Sequence, residues 1–178
     1  GDLYVGTEGG VWRHSGATWE PLNAGLGFGD PIPINSVALS PAYAQDQTVF
    51  AAGGDYSGLG GWIYRSTDRG QSWQRLFGTE YIVQIAVSPD YATDHRLYLV
   101  ATQRVLRSDD AGETATAQPF WDFNHTARAL ALSPSFREDQ TIVAIGNGVY
   151  RSTDGGMTWA AAVSPPPVGP DSQGWQAG

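Results

Sequence analysis

Apolar residues alternate with small or polar ones over three stretches that share one ending: INSVALSP at Ile34–Pro41, IVQIAVSP at Ile82–Pro89 and ARALALSP at Ala127–Pro134. A period of two places alternate side chains on opposite sides of an extended segment, so each stretch predicts a half-buried strand. Each then enters a loop of the form Ser-Pro-x-aromatic-x-x-Asp, with Tyr43 and Asp46, Tyr91 and Asp94, and Phe136 and Asp139 at matching places. Second strands follow as TVFAAGG, RLYLVAT and TIVAIGN, third strands as WIYRS, RVLRS and GVYRS, and fourth strands begin at SWQRLF, TATAQPF and MTWAAAV. The pattern predicts three units of four antiparallel strands, repeating roughly every 45 residues. Ahead of them, LYVGTEGG, VWRHSG and TWEPLN at Leu3–Asn23 supply second, third and fourth strands with no leading strand.

The link between third and fourth strands is itself repeated: STDRGQSW at Ser66–Trp73, SDDAGETA at Ser108–Ala115 and STDGGMTW at Ser152–Trp159. An aspartate here (Asp68, Asp110, Asp154) is expected to accept hydrogen bonds from backbone N–H groups one to three residues on and so hold a tight turn. Gly70, Gly112 and Gly156 supply the positive φ such a turn needs. Trp73 and Trp159 can fold back over it and bury a large ring whose N–H seeks a carbonyl. Ser66, Ser108 and Ser152 open the three clasps. The first unit's clasp is two residues shorter, and Ser15 stands where the aspartate would be.

The pattern Ser-x-Asp-x-Gly-x-Ser/Thr-Trp resembles the Asp-box, or bacterial neuraminidase repeat. The resemblance runs from Leu3 to about Val163 and implies an all-β fold, a sialidase-like or sortilin-like β-propeller of four-stranded antiparallel blades. The expected organisation is a partial three-stranded blade at 1–23, complete blades at 34–77, 82–120 and 127–163, and a proline-rich tail at 164–178. Propellers of this resemblance usually have six or more blades, and the sequence begins mid-blade without an initiating methionine. The chain is therefore expected to be a segment of a larger propeller, or to have its open first blade filled by another chain, because an unpaired strand edge is an aggregation hazard.

Composition narrows the partners. The net charge is −8, and all ten basic residues are arginines spread along the chain, which disfavours nucleic acid and anionic lipid. There is no cysteine, hence no disulfide framework or thiolate metal site, and no apolar run of membrane-spanning length. His14, His95 and His125 have no metal-ligand spacing, and the loop aspartates are too dispersed for a calcium loop, so no metal and no cofactor is expected. Asn124-His125-Thr126 forms a glycosylation sequon whose use depends on the compartment.

Arg13, Arg65, Arg107 and Arg151 recur once per unit just before the clasp. Sialidases that share this repeat hold a carboxylate with an arginine cluster, but arginines belonging to the repeat itself are better explained by packing or pairing between blades. The sialidase Arg-Ile-Pro motif is missing, and no catalytic residue is assigned. In an up-and-down blade, the Ser-Pro loops and the clasps fall at one end, while all irregular loops fall at the other. Trp62, Trp121, Tyr56, Phe28 and Phe123 lie in or beside those irregular loops without repeat counterparts, and they are the candidate ligand-binding residues.

The resemblance reaches sialidases and other glycosidases, xyloglucanases, sortilin-like receptors and assembly-factor propellers of photosystem II, so fold does not name function. The expectation is a non-catalytic, secreted bacterial module at the cell surface or outside the cell. It would bind a glycan or protein partner, or self-associate through its incomplete blade. The alternative is a fragment of an Asp-box glycoside hydrolase whose catalytic residues lie partly outside this chain.

Overall fold

The computed structural model describes residues 1–27, 32–54, 60–102, 104–118 and 127–163. Among them stand four antiparallel sheets, each taking its strands in chain order. The first has three strands, β1 (Leu3–Thr7), β2 (Gly10–Ser15) and β3 (Thr18–Pro21). The second comprises β4 (Ile34–Leu39), β5 (Val49–Gly54), β6 (Gly61–Ser66) and β7 (Gln74–Thr79). The third comprises β8 (Ile82–Val87), β9 (Leu97–Ala101), β10 (Val105–Ser108) and β11 (Thr116–Ala117). The fourth comprises β12 (Ala127–Leu132), β13 (Ile142–Gly146), β14 (Val149–Ser152) and β15 (Ala160–Val163). These are three four-stranded propeller blades and one of three strands.

Two details depart from the sequence reading. The fourth strand of the third blade is only two residues long, extended by one bond from the Gln118 N–H to the Val105 carbonyl. Pro119 follows and has no N–H to offer the ladder. The Ser-Pro loops are not plain turns but single helical turns, α1 (Tyr43–Asp46), α2 (Tyr91–Asp94) and α3 (Phe136–Asp139). One serine and one aspartate bracket each. Ser40 Oγ donates to Asp46 Oδ2 at 2.5 Å, and Asp46 Oδ1 accepts from the Thr48 N–H at 2.8 Å. Ser88 with Asp94 and Ser133 with Asp139 repeat the arrangement.

Each gap between blades holds its own apolar layer. Val11, Leu22, Val49, Ala51, Tyr64 and Trp73 fill the first, Phe50, Ile63, Leu97 and Leu99 the second, and Tyr98, Val100, Val105 and Ile142 the third. Strands β5 and β9 are therefore buried on both faces, which is why they read as continuous apolar runs rather than alternating ones. Burial of each such side chain contributes roughly 1.5–3 kcal/mol.

The leading strands gather side by side at the inner edge of the blades without forming one sheet. Side chains bridge them instead. The Gln84 carboxamide donates to the Leu130 carbonyl at 3.0 Å and accepts from the Leu130 N–H at 2.9 Å, copying the two bonds of a strand partner. Ser36 Oγ accepts from the Ile85 N–H at 3.0 Å in the neighbouring gap.

Candidate functional site

The clasps are built alike. Ser66 Oγ accepts from the Gly70 N–H at 2.7 Å and donates to Asp68 Oδ1 at 2.7 Å. Asp68 in turn accepts from the Ser72 N–H at 2.9 Å and from the Ser72 hydroxyl at 2.6 Å. Ser108, Asp110, Gly112 and Thr114 repeat these bonds, as do Ser152, Asp154, Gly156 and Thr158. The aspartate thus reaches four residues on, one further than expected, and the serine takes the glycine N–H. Two successive left-handed residues cause this, Arg69 and Gly70 at φ +62° and +85°, because they curl the chain back toward its own start. The serine's share was legible in its fixed place two residues before the aspartate.

These bonds set the charge state. The Thr158 hydroxyl and backbone N–H, aided by Ser152, hold the Asp154 carboxyl down to about 2. Partial burial opposes the same effect at Asp68 and Asp110, yet the donors of Ser72 and Thr114 keep both below the ordinary carboxylate value. Carboxylates saturated with donors are fixed anions and turn caps. The clasp tryptophans are buried; Trp159 donates its ring N–H to its own clasp at Gly156 (3.0 Å), whereas Trp73 reaches the preceding blade at Leu22 (2.8 Å).

The arginines before the clasps hold neighbouring blades together. Arg13 donates to the Arg69 carbonyl at 3.2 Å, Arg65 to Ala111 at 3.2 Å and Arg107 to Gly155 at 3.1 Å. In every case the acceptor is the first left-handed residue of the next blade's clasp. Tyr4 and Tyr98, register partners of Arg13 and Arg107, add hydroxyl bonds to the same carbonyls at 2.9 and 2.7 Å. An aromatic pair completes each joint edge to face: Tyr4 with Tyr43, Phe50 with Tyr91, and Tyr98 with Phe136, at centroid separations of 5.5–6.0 Å. The aromatic residue of the Ser-Pro loops therefore serves the preceding blade, a role the sequence did not disclose. Arg151 is exposed and meets no following clasp among the described residues.

Clasps and helical turns share one end of the blades. The Arg69 N–H donates to Gln47, Ala111 to His95 and Gly155 to Gln140, at 2.9–3.1 Å. At the opposite end stands Trp62, whose register partners on both sides are glycines, Gly53 and Gly78. Its indole is half-buried against the first apolar layer, and the Arg75 guanidinium lies 4.5 Å from a ring centroid. Trp121, Tyr56, Phe28 and Phe123 lie outside the described residues.

The same end carries a groove of about 320 Å³ lined by Val83, Thr102, Ala127 and Arg128. Thr102 is held by two bonds to the Tyr81 carbonyl, and Arg104 pairs with Glu80 nearby at 2.5 Å. Arg128 is exposed, so an apolar floor and a cationic rim meet there. Sequence reasoning passed over these residues because they occupy regular strand positions. The one signal was Arg128 standing where the other leading strands carry Asn35 and Val83. Among the described residues no cluster of His, Asp and Glu could hold a metal ion, and no helix is long and apolar enough to cross a membrane.

The family model for the BNR/Asp-box repeat matches residues 64–75 and 150–161, the clasps of the second and fourth blades. No curated protein matches the chain in sequence. Among solved structures, an ancestral GH74 enzyme superposes with a TM-score of 0.65 at 18% identity over 90% of this chain and 24% of its own. YCF48 from Cyanidioschyzon merolae gives 0.52 at 16% identity, over 73% of this chain and 37% of its own. A chain of a nidogen/laminin complex gives 0.59 at 14% identity, over 90% and 60%. The chain thus spans about a quarter of the GH74 enzyme and a little over a third of YCF48. Repeat, clasp geometry and sheet order agree: this chain is a run of β-propeller blades, two of whose clasps are BNR/Asp-box repeats.

Proposed function

We propose that this chain is a non-catalytic, extracellular β-propeller module that works as a binding or assembly scaffold and holds a glycan or protein ligand at its irregular-loop end. The observation that carries this reading is a division between the two ends. The carboxylates and left-handed backbone of the regular end are bonded within clasps and between blades, where they fix the scaffold. The opposite end presents the Trp62–Arg75 pair and, separately, the Arg128 groove, so a flat apolar ring, a cation and a hydroxyl lie at one end of the blades. A second reading, a segment of an Asp-box glycoside hydrolase with its catalytic residues partly outside this chain, draws on the fold likeness to the GH74 enzyme.

Affinity electrophoresis against a panel of plant and bacterial polysaccharides tests both. Retardation by at least one polysaccharide, weakened several-fold in Trp62→Ala and Arg128→Ala while both variants remain folded by circular dichroism, is the expected result. Release of new reducing ends would move the assignment to the hydrolase. No retardation anywhere in the panel would retire the glycan ligand.

A further inference from the structure

We propose that the joint between the third and fourth blades holds a separate ligand site, at the clasp end, and that it takes a neutral, hydroxyl-bearing sugar residue. A cavity of about 310 Å³ opens there, lined by Arg107, Asp109, Thr116, Ala117, Gln118 and Met157. That volume falls at the lower end of the ~300–1,000 Å³ of small-ligand sites. The repeat shows which side chains had to change to open it. Strand register sets Glu20, Gln74 and Thr116 opposite the joint arginines Arg13, Arg65 and Arg107. Glu20 and Gln74 bond their arginines, and Glu113 of the following clasp adds a second bond to Arg65. Thr116 is too short for this, and Met157 stands where the other clasp has Glu113. Arg107 turns back instead to Asp109, which replaces the Thr67 and Thr153 of the neighbouring clasps. Two residues along the fourth strand, Leu22 and Leu76 lie over the next clasp's Gly70 and Gly112, and Gln118 takes their place over Gly156. Gln118 is only 6% exposed. Its Nε2 donates to the Thr116 carbonyl at 3.3 Å, but among the described residues nothing donates to its Oε1. A buried acceptor without a donor costs more than the leucine it replaces, so folding alone does not account for it.

The lining selects the chemistry of the ligand. The charge on Arg107 is matched by Asp109, and its remaining bond goes to the Gly155 carbonyl, so no unmatched cation invites an anion. Asp109 lies 2.8 Å from both Arg107 and Arg96. Partial burial pushes its carboxyl up, but the bonds from the two arginines outweigh that and hold it below the ordinary carboxylate value. A carboxylate shared by two guanidinium groups does not call for a cationic ligand either. What remains is a surface of neutral balance with acceptors to fill: Gln118 Oε1, the open edge of Asp109 and the Thr116 hydroxyl. Beside them lie Ala117 and the thioether of Met157, which is 63% exposed. Sugar hydroxyls supply the missing donors, and the C–H face of a pyranose ring fits the adaptable thioether.

Met157 is the single methionine of the 178-residue chain, so methyl-labelled methionine gives one NMR signal that reads this cavity and not the irregular-loop end. Titration with glucose, galactose, mannose and xylose to tens of millimolar should move that signal saturably for at least one of them. The corresponding uronic acid and amino sugar should move it several-fold less. Gln118→Leu restores the residue of the other two joints, and it should abolish the shift while the melting temperature holds or rises. Thr116→Gln restores the long side chain of Gln74 and should abolish the shift as well, which keeps the test decisive if either variant misfolds. A signal unmoved by all four sugars would overturn the proposal, and so would a shift that survives both substitutions. Charged sugars that bind as well as neutral ones would overturn the ligand class. Movement with N-acetylalanine methylamide and with no sugar would overturn it too, and would give the cavity to a peptide.

Discussion

The guanidinium of Arg65 donates to the carbonyl of Ala111, a residue of the next blade held in the left-handed conformation at φ +60°. The same side chain pairs with Glu113 at 2.7 Å and with Gln74 of its own blade at 3.2 Å. A left-handed residue turns its carbonyl out of the clasp, and in each of the three joints the preceding blade's arginine donates to it. The clasp is thus both a turn within one blade and a socket for the blade before it.

From this follows a contrast between two equivalent arginines. Arg65→Ala removes a charge-assisted bond to a part-buried carbonyl, and it should lower stability by about 1–3 kcal/mol in urea melts. Arg151→Ala, exposed and without a socket among the described residues, should change stability by less than about 0.5 kcal/mol when measured on dilute chain. Equal effects from the two would show that the joint contributes nothing.

The two clasp tryptophans should also differ. Both are nearly buried, so truncation to alanine costs roughly 3–5 kcal/mol for either. Trp73 additionally satisfies Leu22 across the first joint, whereas Trp159 donates its ring N–H to Gly156 of its own clasp. Trp73→Ala should therefore raise hydrogen exchange across β1–β3 as well as in its own blade, whereas Trp159→Ala, which opens the third apolar layer beside Tyr98 and Val100, should raise it in β9 and β10 to a smaller degree. Exchange that spreads equally from both sites would contradict the assignment.

How far the sequence foretold this depends on which forces act locally. Strand order, the clasps and the open first blade were legible because alternation, glycine φ and aspartate capping act over a few residues. The partnership of Tyr43 with Tyr4 was not, since it joins positions brought together only by blade stacking. The same holds for Gln84, whose carboxamide serves Leu130 from another unit. At the candidate site, Trp62 was singled out for lacking a repeat counterpart, and its glycine neighbours explain why a large ring fits there. Arg128 escaped notice because the groove forms where the starts of β8 and β12 meet the end of β9, and no one strand carries its signature.

Acid should loosen the clasps in a definite window. The folded-state carboxyl of Asp154 lies at about 2 and those of Asp68 and Asp110 are also lowered, against an ordinary value of 3.8. Groups with depressed values contribute stability that is fully present above the unfolded value and is lost as pH falls through the folded one. The melting temperature should hold from neutrality to about pH 5, then fall steadily toward pH 2. Asp154→Asn should flatten that slope while lowering stability at pH 7 by about 1–2 kcal/mol. An unchanged slope would mean that the clasp carboxylates do not titrate on unfolding.

The seat of Trp62 can be tested without touching the ring. A Cβ placed on Gly78 would come within 2.7 Å of the indole, and Gly78 does not have a left-handed φ, so contact with the ring is the main penalty for alanine there. Gly78→Ala should displace the indole and lower stability by about 1–2 kcal/mol. In a Trp62→Ala background the same substitution has nothing to strike and should cost less than about 0.5 kcal/mol, a coupling that a double-mutant cycle reads directly. The displaced ring should weaken polysaccharide retardation as strongly as Trp62→Ala does. Retardation that survives Gly78→Ala but not Trp62→Ala would show that the ligand needs the ring's surface and not its position. Independence of the two substitutions in the stability cycle would show that the indole does not rest on β7.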